Sequence, residues 1–173
     1  GSIQNTLMPR IGLNIGSNLG NRLQIITDAA ERIAQLLNSE VRLSHPYESK
    51  AWGYQSDNPF LNVAIETETE IPAEELLKAL RSIEIALGSG EHRNADGSYA
   101  DRLVDIDIIY YGDSIISSDT LVTPHPRMEQ REFVLVPLCE LSPQWKHPIS
   151  GLTAEEMLKN LQNAPKRTTI IPV

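Results

Sequence analysis

Asp105 and Asp107 stand two residues apart in the stretch "YADRLVDIDIIYYGD", residues 99–113. Val104, Ile106, Ile108 and Tyr110 fall on alternate positions, the period of a strand with one buried face, so the two aspartates share the other face. Aspartate is depleted in strands and adjacent like charges repel, so an unneutralised pair costs stability. Something cationic belongs there. At i and i+2 the carboxylates lie ~7 Å apart, close enough to converge on hard cations such as Mg2+, which keep water and phosphate oxygens in their shell. Two such ions would fit.

A pair of exposed acids on a solvated sheet face is the bland alternative for a bare DxD, and the neighbouring residues weigh against it. Arg102 lies three positions before Asp105, and the preceding loop carries His92, Arg93 and Tyr99. Further on, "TPHPRMEQREF" supplies His125, Arg127 and Arg131. Taken singly, Arg102 could pair with an acid and His125 could cap a turn. Together the cations suit a polyphosphate held beside a metal site.

These residues need elements to position them. "RIGLNIG" reads as a strand ending in the turn "GSNLGN", and Leu23, Ile26, Ala30, Ile33 and Leu37 recur at helical spacing over residues 21–38. "VRLSHPYES" is a second strand interrupted by Pro46, and "LNVAIETE" a third. "IPAEELLKALRSIEIALG" has a proline suited to a helix start, a glycine suited to its end, and an apolar face of Leu76, Leu77, Leu80, Ile83 and Leu87. The glycine-rich, polar residues 88–101 are expected to form a mobile loop before the acidic strand. Strand, helix, strand, then strand, helix, strand implies an α+β fold. It has a ferredoxin-like antiparallel sheet with the helices packed on one face. A short helix near residues 153–161 extends the core. The turn "IGSN" lacks the lysine of a P-loop and the full glycine pattern of a dinucleotide fingerprint, so it reads as an ordinary strand-to-helix turn.

At 173 residues the chain suits one domain, read as residues 10–173 behind a weakly ordered leader, 1–9, that opens with a cloning remnant, Gly1-Ser2. A net charge of −8 argues against a general nucleic-acid partner. One cysteine, Cys139, cannot form an internal disulfide and is expected as a buried structural thiol. Without an apolar span or signal pattern, the expectation is a cytoplasmic protein, no membrane partner, and a monomer acting on small molecules.

"GLNIGSNLGN", "FLNVAIETE", "IEIALG", "DRLVDIDIIYYG" and "TPHPRMEQREFVLVPL", in this order and spacing, resemble the 6-hydroxymethyl-7,8-dihydropterin pyrophosphokinases of folate biosynthesis over roughly residues 11–162. The resemblance implies transfer of the β,γ-pyrophosphoryl group of ATP, the co-substrate, to the pterin hydroxymethyl group, with AMP released and two Mg2+ ions held by Asp105 and Asp107. Asp107 is also a candidate proton acceptor. Arg102 matches an arginine that contacts the triphosphate; Glu84, Ile108, His125 and Arg131 fall at nucleotide-site positions. Phe60 and Phe133 match an aromatic pair that sandwiches the pterin, Asn62 the amide that reads its edge, and Ser49, Lys50 and Trp52 the loop lining that pocket. The family's glycine-arginine after the second helix is here Gly88-Ser89, and Arg93 or His92 is expected to substitute. Tyr99 stands in place of a common tryptophan, and Pro126 where an aromatic often follows the histidine. A nucleotidyltransferase also uses a strand DxD with a Gly-Ser, but here Gly16-Ser17 and Asp105 are about ninety positions apart. A non-catalytic ferredoxin-like module that binds nucleotide or metal is the alternative of a different class.

Overall fold

The computed structural model describes residues 8–49, 59–88, 103–164 and 170–172. Its centre is an antiparallel sheet built from β1 (Arg10–Ser17), β2 (Arg42–Leu43), β3 (Tyr47–Ser49), β4 (Phe60–Glu68), β5 (Asp105–Tyr111) and β8 (Ile170–Pro172). In space the order is β5-β1-β4-β3-β8, with β2 also on β4. Pro46 divides the expected second strand into β2 and β3, since proline cannot donate to a ladder. A small hairpin, β6 (Ile116–Ser117) with β7 (Val122–Thr123), follows β5. Neither it nor β8 was expected from the sequence.

The first face of the sheet is apolar. Ile11, Leu13 and Ile15 of β1, Val63 and Ile65 of β4, and Ile106 and Ile108 of β5 meet α1 (Arg22–Leu37) and α2 (Ala73–Ala86). Ile26, Ala29, Ala30 and Ile33 project from α1, and Leu76, Leu80 and Ile83 from α2. Each aliphatic side chain taken fully out of water contributes about 1.5–3 kcal/mol. Leu23, expected on the buried stripe of α1, is half exposed, because the helix begins only at Arg22 behind the capping side chain of Asn21.

Helices also cover the second face, which corrects the expectation of helices on one side. α3 (Glu132–Leu141) and α4 (Ala154–Gln162) close it through Val134, Leu135, Leu138, Ala154 and Met157 against Ile109 and Tyr110. "FVLVPL" could not be assigned from its pattern because α3 is apolar nearly all round and carries Pro137 inside it. Cys139 on α3 is half-buried rather than enclosed, and burial pushes its thiol up to about 11.

A bulge in β5 changes the reading of the acidic strand. Asp105, Ile106, Asp107 and Ile108 pair in step with Gly16, Ile15, Asn14 and Leu13, but the next pairs are Gly12 with Tyr110 and Ile11 with Tyr111. Ile109 is therefore the extra residue, and one inserted residue reverses the faces that follow. Tyr110 lies not with Ile106 and Ile108 but on the face of Asp105 and Asp107, where its hydroxyl donates to buried Glu66 (2.6 Å). Among the described residues no helix is long and apolar enough to cross a membrane.

Candidate active site

The second face of the sheet carries the chemistry. Asp105 and Asp107 sit on β5, the edge strand, both half-buried, opposite Gly16 and Asn14 of β1. Their type fits the cation expected, because carboxylate oxygens are the ligands of a hard ion that keeps water and phosphate oxygens in its shell. On the outer edge of the same strand, Ile106 N–H donates to Glu84 Oε2 (2.7 Å) and Ile106 C=O accepts from Arg81 Nη1 (3.0 Å). Arg81 also meets Glu84 Oε2 at 2.7 Å, so an i,i+3 pair from α2 caps the strand edge. Burial raises the Glu84 carboxyl pKa, with Asp105 adding to it, against the lowering pull of Arg81 and the Ile106 N–H.

Beyond that capped edge a cleft of about 260 Å³ opens between α2 and the β6–β7 hairpin. Leu77, Arg81, Asp107, Ile108, Asp119 and His125 are among its walls. Glu74 at the start of α2 fastens the hairpin, taking hydrogen bonds from Ser118 Oγ (2.8 Å) and Thr120 Oγ1 (2.7 Å). His125 is held by its backbone N–H on Ile109 C=O (2.8 Å). Burial, then Arg131 and Arg127, push its imidazole down to about 4, so it is neutral at pH 7. Arg127 N–H donates to His125 Nδ1 (3.2 Å), which places the ring proton on Nε2.

The other half of the site lies across β1. Asn62 of β4 pairs with Gly16, and its Nδ2 donates to Ser49 Oγ (3.0 Å); Asn62 and Ser49 are both buried. Phe60 is half-buried, and a Cβ built on Gly16 would lie 3.4 Å from its ring. Two residues along the same face, Asn14 Nδ2 donates to Phe133 C=O (3.0 Å), and the guanidinium carbon of Arg131 lies 5.4 Å from the centre of the Phe133 ring. Both phenylalanines thus come to one short span of β1. Phe133 also packs partly against the second core.

Asp107, Ile108 and His125 therefore share the cleft, with Asp105 two residues along the same strand, while Ser49, Phe60 and Asn62 cluster across β1 and Arg131 lies against Phe133. Glu84 stands behind the strand edge, with Arg81 rather than Glu84 facing the cleft. Lys50, Trp52, Arg93 and Arg102 lie outside the described residues, as do the loop expected to be mobile and Ser89. Sequence reasoning missed Arg81, Asn14, Gly16 and Asp119. The Arg81-to-Glu84 spacing was a signal for the first; the others acquire meaning only through strand register.

Paired carboxylates on the edge strand, beside a cleft walled by Arg81 and His125, suit a protein of the phosphoryl-transfer class. The chain belongs to the family described as 7,8-dihydro-6-hydroxymethylpterin-pyrophosphokinase, whose model matches residues 12–143. It is 37% identical over 142 residues to the 2-amino-4-hydroxy-6-hydroxymethyldihydropteridine pyrophosphokinase of Aquifex aeolicus, covering 82% of this chain and 86% of that one. The protein of the same name from Porphyromonas gingivalis is 37% identical over 144 residues, covering 82% and 95%. The folic acid synthesis protein fol1 of Pneumocystis carinii is 38% identical over 141 residues, and the match spans 18% of its length. The wild-type HPPK-DHPS of Plasmodium falciparum with pteroate superposes with a TM-score of 0.69 at 12% identity, over 91% of this chain and 45% of that one, a likeness of fold.

Proposed function

We infer that this chain transfers the pyrophosphoryl group of ATP to 6-hydroxymethyl-7,8-dihydropterin, giving the pterin diphosphate and AMP in folate biosynthesis. One observation carries the reading of the site: Asp107 lines the same cleft as Ile108, Arg81 and His125, so a carboxylate of the pair opens onto a space beside the strand edge that also has basic walls. The spatial order β5-β1-β4-β3 with α1 and α2 on one face supports the ferredoxin-like description.

Asp105 and Asp107 would hold two Mg2+ ions, which when bound offset the charge of the triphosphate. Ile108 offers strand-edge backbone groups to the base. His125, through Nε2–H, and Arg131 bind phosphate oxygens, and Arg102 and Arg93 add to them. On the other side, Phe60 and Phe133 stack on the pterin, Asn62 reads its donor and acceptor edge, and Ser49, Lys50 and Trp52 line the pocket. Held between the two groups, the hydroxymethyl oxygen attacks the β-phosphorus, the bond to the α-phosphate oxygen breaks, and AMP leaves. Asp107 is the candidate acceptor of the hydroxyl proton. The protein acts on small molecules as a cytoplasmic monomer, without nucleic acid. Incubation with ATP, Mg2+ and hydroxymethyldihydropterin should release AMP only when the pterin is present. AMP release without pterin, or none at all, rejects the activity.

A further inference from the structure

Across the catalytic face, Asp105, Gly16 and Asn62 occupy one row on β5, β1 and β4. Adjacent strands are ~4.8 Å apart, so the metal carboxylate and the amide assigned to the pterin stand about 10 Å from each other with only a glycine between them. Gly16 is not in the left-handed region, unlike Gly20, Gly88, Gly112 and Gly151, so its backbone conformation does not call for glycine. Space does. A Cβ at Gly16 would lie 2.9 Å from Asn62 Oδ1, because the carboxamide reaches over β1 at this residue. The other amide atom, Nδ2, is committed to Ser49 Oγ at 3.0 Å, and both side chains are buried. The carboxamide is thereby tied at one end and given room at the other. Its nitrogen is turned to β3 by the hydroxyl, and its oxygen is brought over the gap in β1.

Resting on the pterin assignment above, we propose that Gly16 and Ser49 are positioning residues that set the orientation of the Asn62 carboxamide and so the donor and acceptor pattern the pocket accepts. With Nδ2 tied to Ser49 Oγ, the amide keeps one N–H and its Oδ1 in fixed directions, which suits a ring edge presenting a donor beside an acceptor. A methyl at Gly16 meets only the far end of Asn62 and the rim of Phe60, so the fold should tolerate it while the reading group moves. Gly12 differs: a Cβ there would overlap the Tyr110 ring, and the cost would fall on the fold.

Calorimetric titration of 6-hydroxymethylpterin, with Mg2+ and a non-hydrolysable ATP analogue present, tests this. Gly16→Ala should weaken pterin binding about tenfold, the size of one lost directed interaction, with affinity for the ATP analogue within twofold. Asn62→Ala should weaken it at least as much. The double variant should be no worse than Asn62→Ala alone, since the methyl's one tight contact is with that amide and the Phe60 ring stands at ordinary contact distance. Ser49→Ala should give a similar pterin-selective loss that Ser49→Thr restores, which keeps the test open if Gly16→Ala folds poorly. Additive losses, unchanged pterin affinity in Gly16→Ala or Ser49→Ala, or equal losses for pterin and nucleotide overturn the proposal. Pterin binding by the unaltered protein separates the two levels: its absence overturns the pterin assignment itself and this proposal with it.

Discussion

Asp105 and Asp107 are half-buried on the edge strand of the sheet, and the proposed function gives them the metal ions. Asp107→Ala or Asp105→Ala should therefore lower turnover by at least ~10³-fold, the several kcal/mol that charge neutralisation at a phosphoryl group supplies. The unliganded fold should be kept, because both carboxylates are half-buried and belong to neither hydrophobic core. Near-normal turnover in either variant would remove that carboxylate from the site. His125 makes a second prediction at this scale. Its imidazole is pushed from 6.5 to about 4 in the folded chain, so the unfolded state binds the extra proton first as pH falls. Its contribution to stability is complete above pH 6.5 and is lost between 6.5 and about 4, on the order of 3 kcal/mol in all. Denaturant curves across that window should show a shallower pH dependence in His125→Gln than in the parent. Parallel curves would contradict the burial of a neutral ring.

At the scale of elements, β5 shows how far periodicity can be read and where it stops. Alternation placed the aspartates opposite Ile106 and Ile108, as found, because one face of this strand is buried and register is then strongly specified. Alternation also put Tyr110 with those isoleucines, and the bulge at Ile109 overturned that, since nothing in "DIDIIYY" marks an inserted residue. The bulge lets the Tyr110 ring cross Gly12 and reach Glu66, whose carboxylate also takes hydrogen bonds from Arg10 (3.0 Å), Arg42 (3.3 Å) and Ser142 (2.6 Å). This network ties β1, β2, β4 and β5 to the end of α3. Tyr110→Phe removes one partner from a buried carboxylate and should cost about 1–3 kcal/mol in urea unfolding, with KM for both substrates little changed. A stability loss below ~0.5 kcal/mol would show that Tyr110 holds the face by ring packing alone. The short helix expected near residues 153–161 is by contrast present as α4, and its capping box, Thr153 with Glu156, is a local pattern whose residues bond within one turn.

Over the whole molecule, what could be read in the sequence is what local rules decide: α1, α2, α4, the three long strands and the acid pair. The missing parts depend on distant partners. β8 gains its strand character only by pairing with β3, the glycines of β1 matter only against Asn62 and Tyr110, and α3 is a helix because apolar surfaces on both sides enclose it. The core on both faces of the sheet is made of aliphatic and aromatic side chains without metal ligands, so the fold should not depend on Mg2+. Chelation should abolish turnover and leave the unliganded melting temperature within about 1 °C, whereas Mg2+ and ATP together should raise it, as any ligand of the folded state does. A large fall in melting temperature on chelation would mean a structural ion. The most direct test follows each phosphate through the reaction, using ATP labelled in parallel at the α- and γ-phosphorus with Mg2+ and hydroxymethyldihydropterin. Attack at the β-phosphorus requires the α label to leave in AMP and the γ label to appear in the pterin product, both lost in Asp107→Ala. An α label on the pterin with free labelled pyrophosphate, or a γ label alone transferred with ADP released, would contradict pyrophosphoryl transfer at this site.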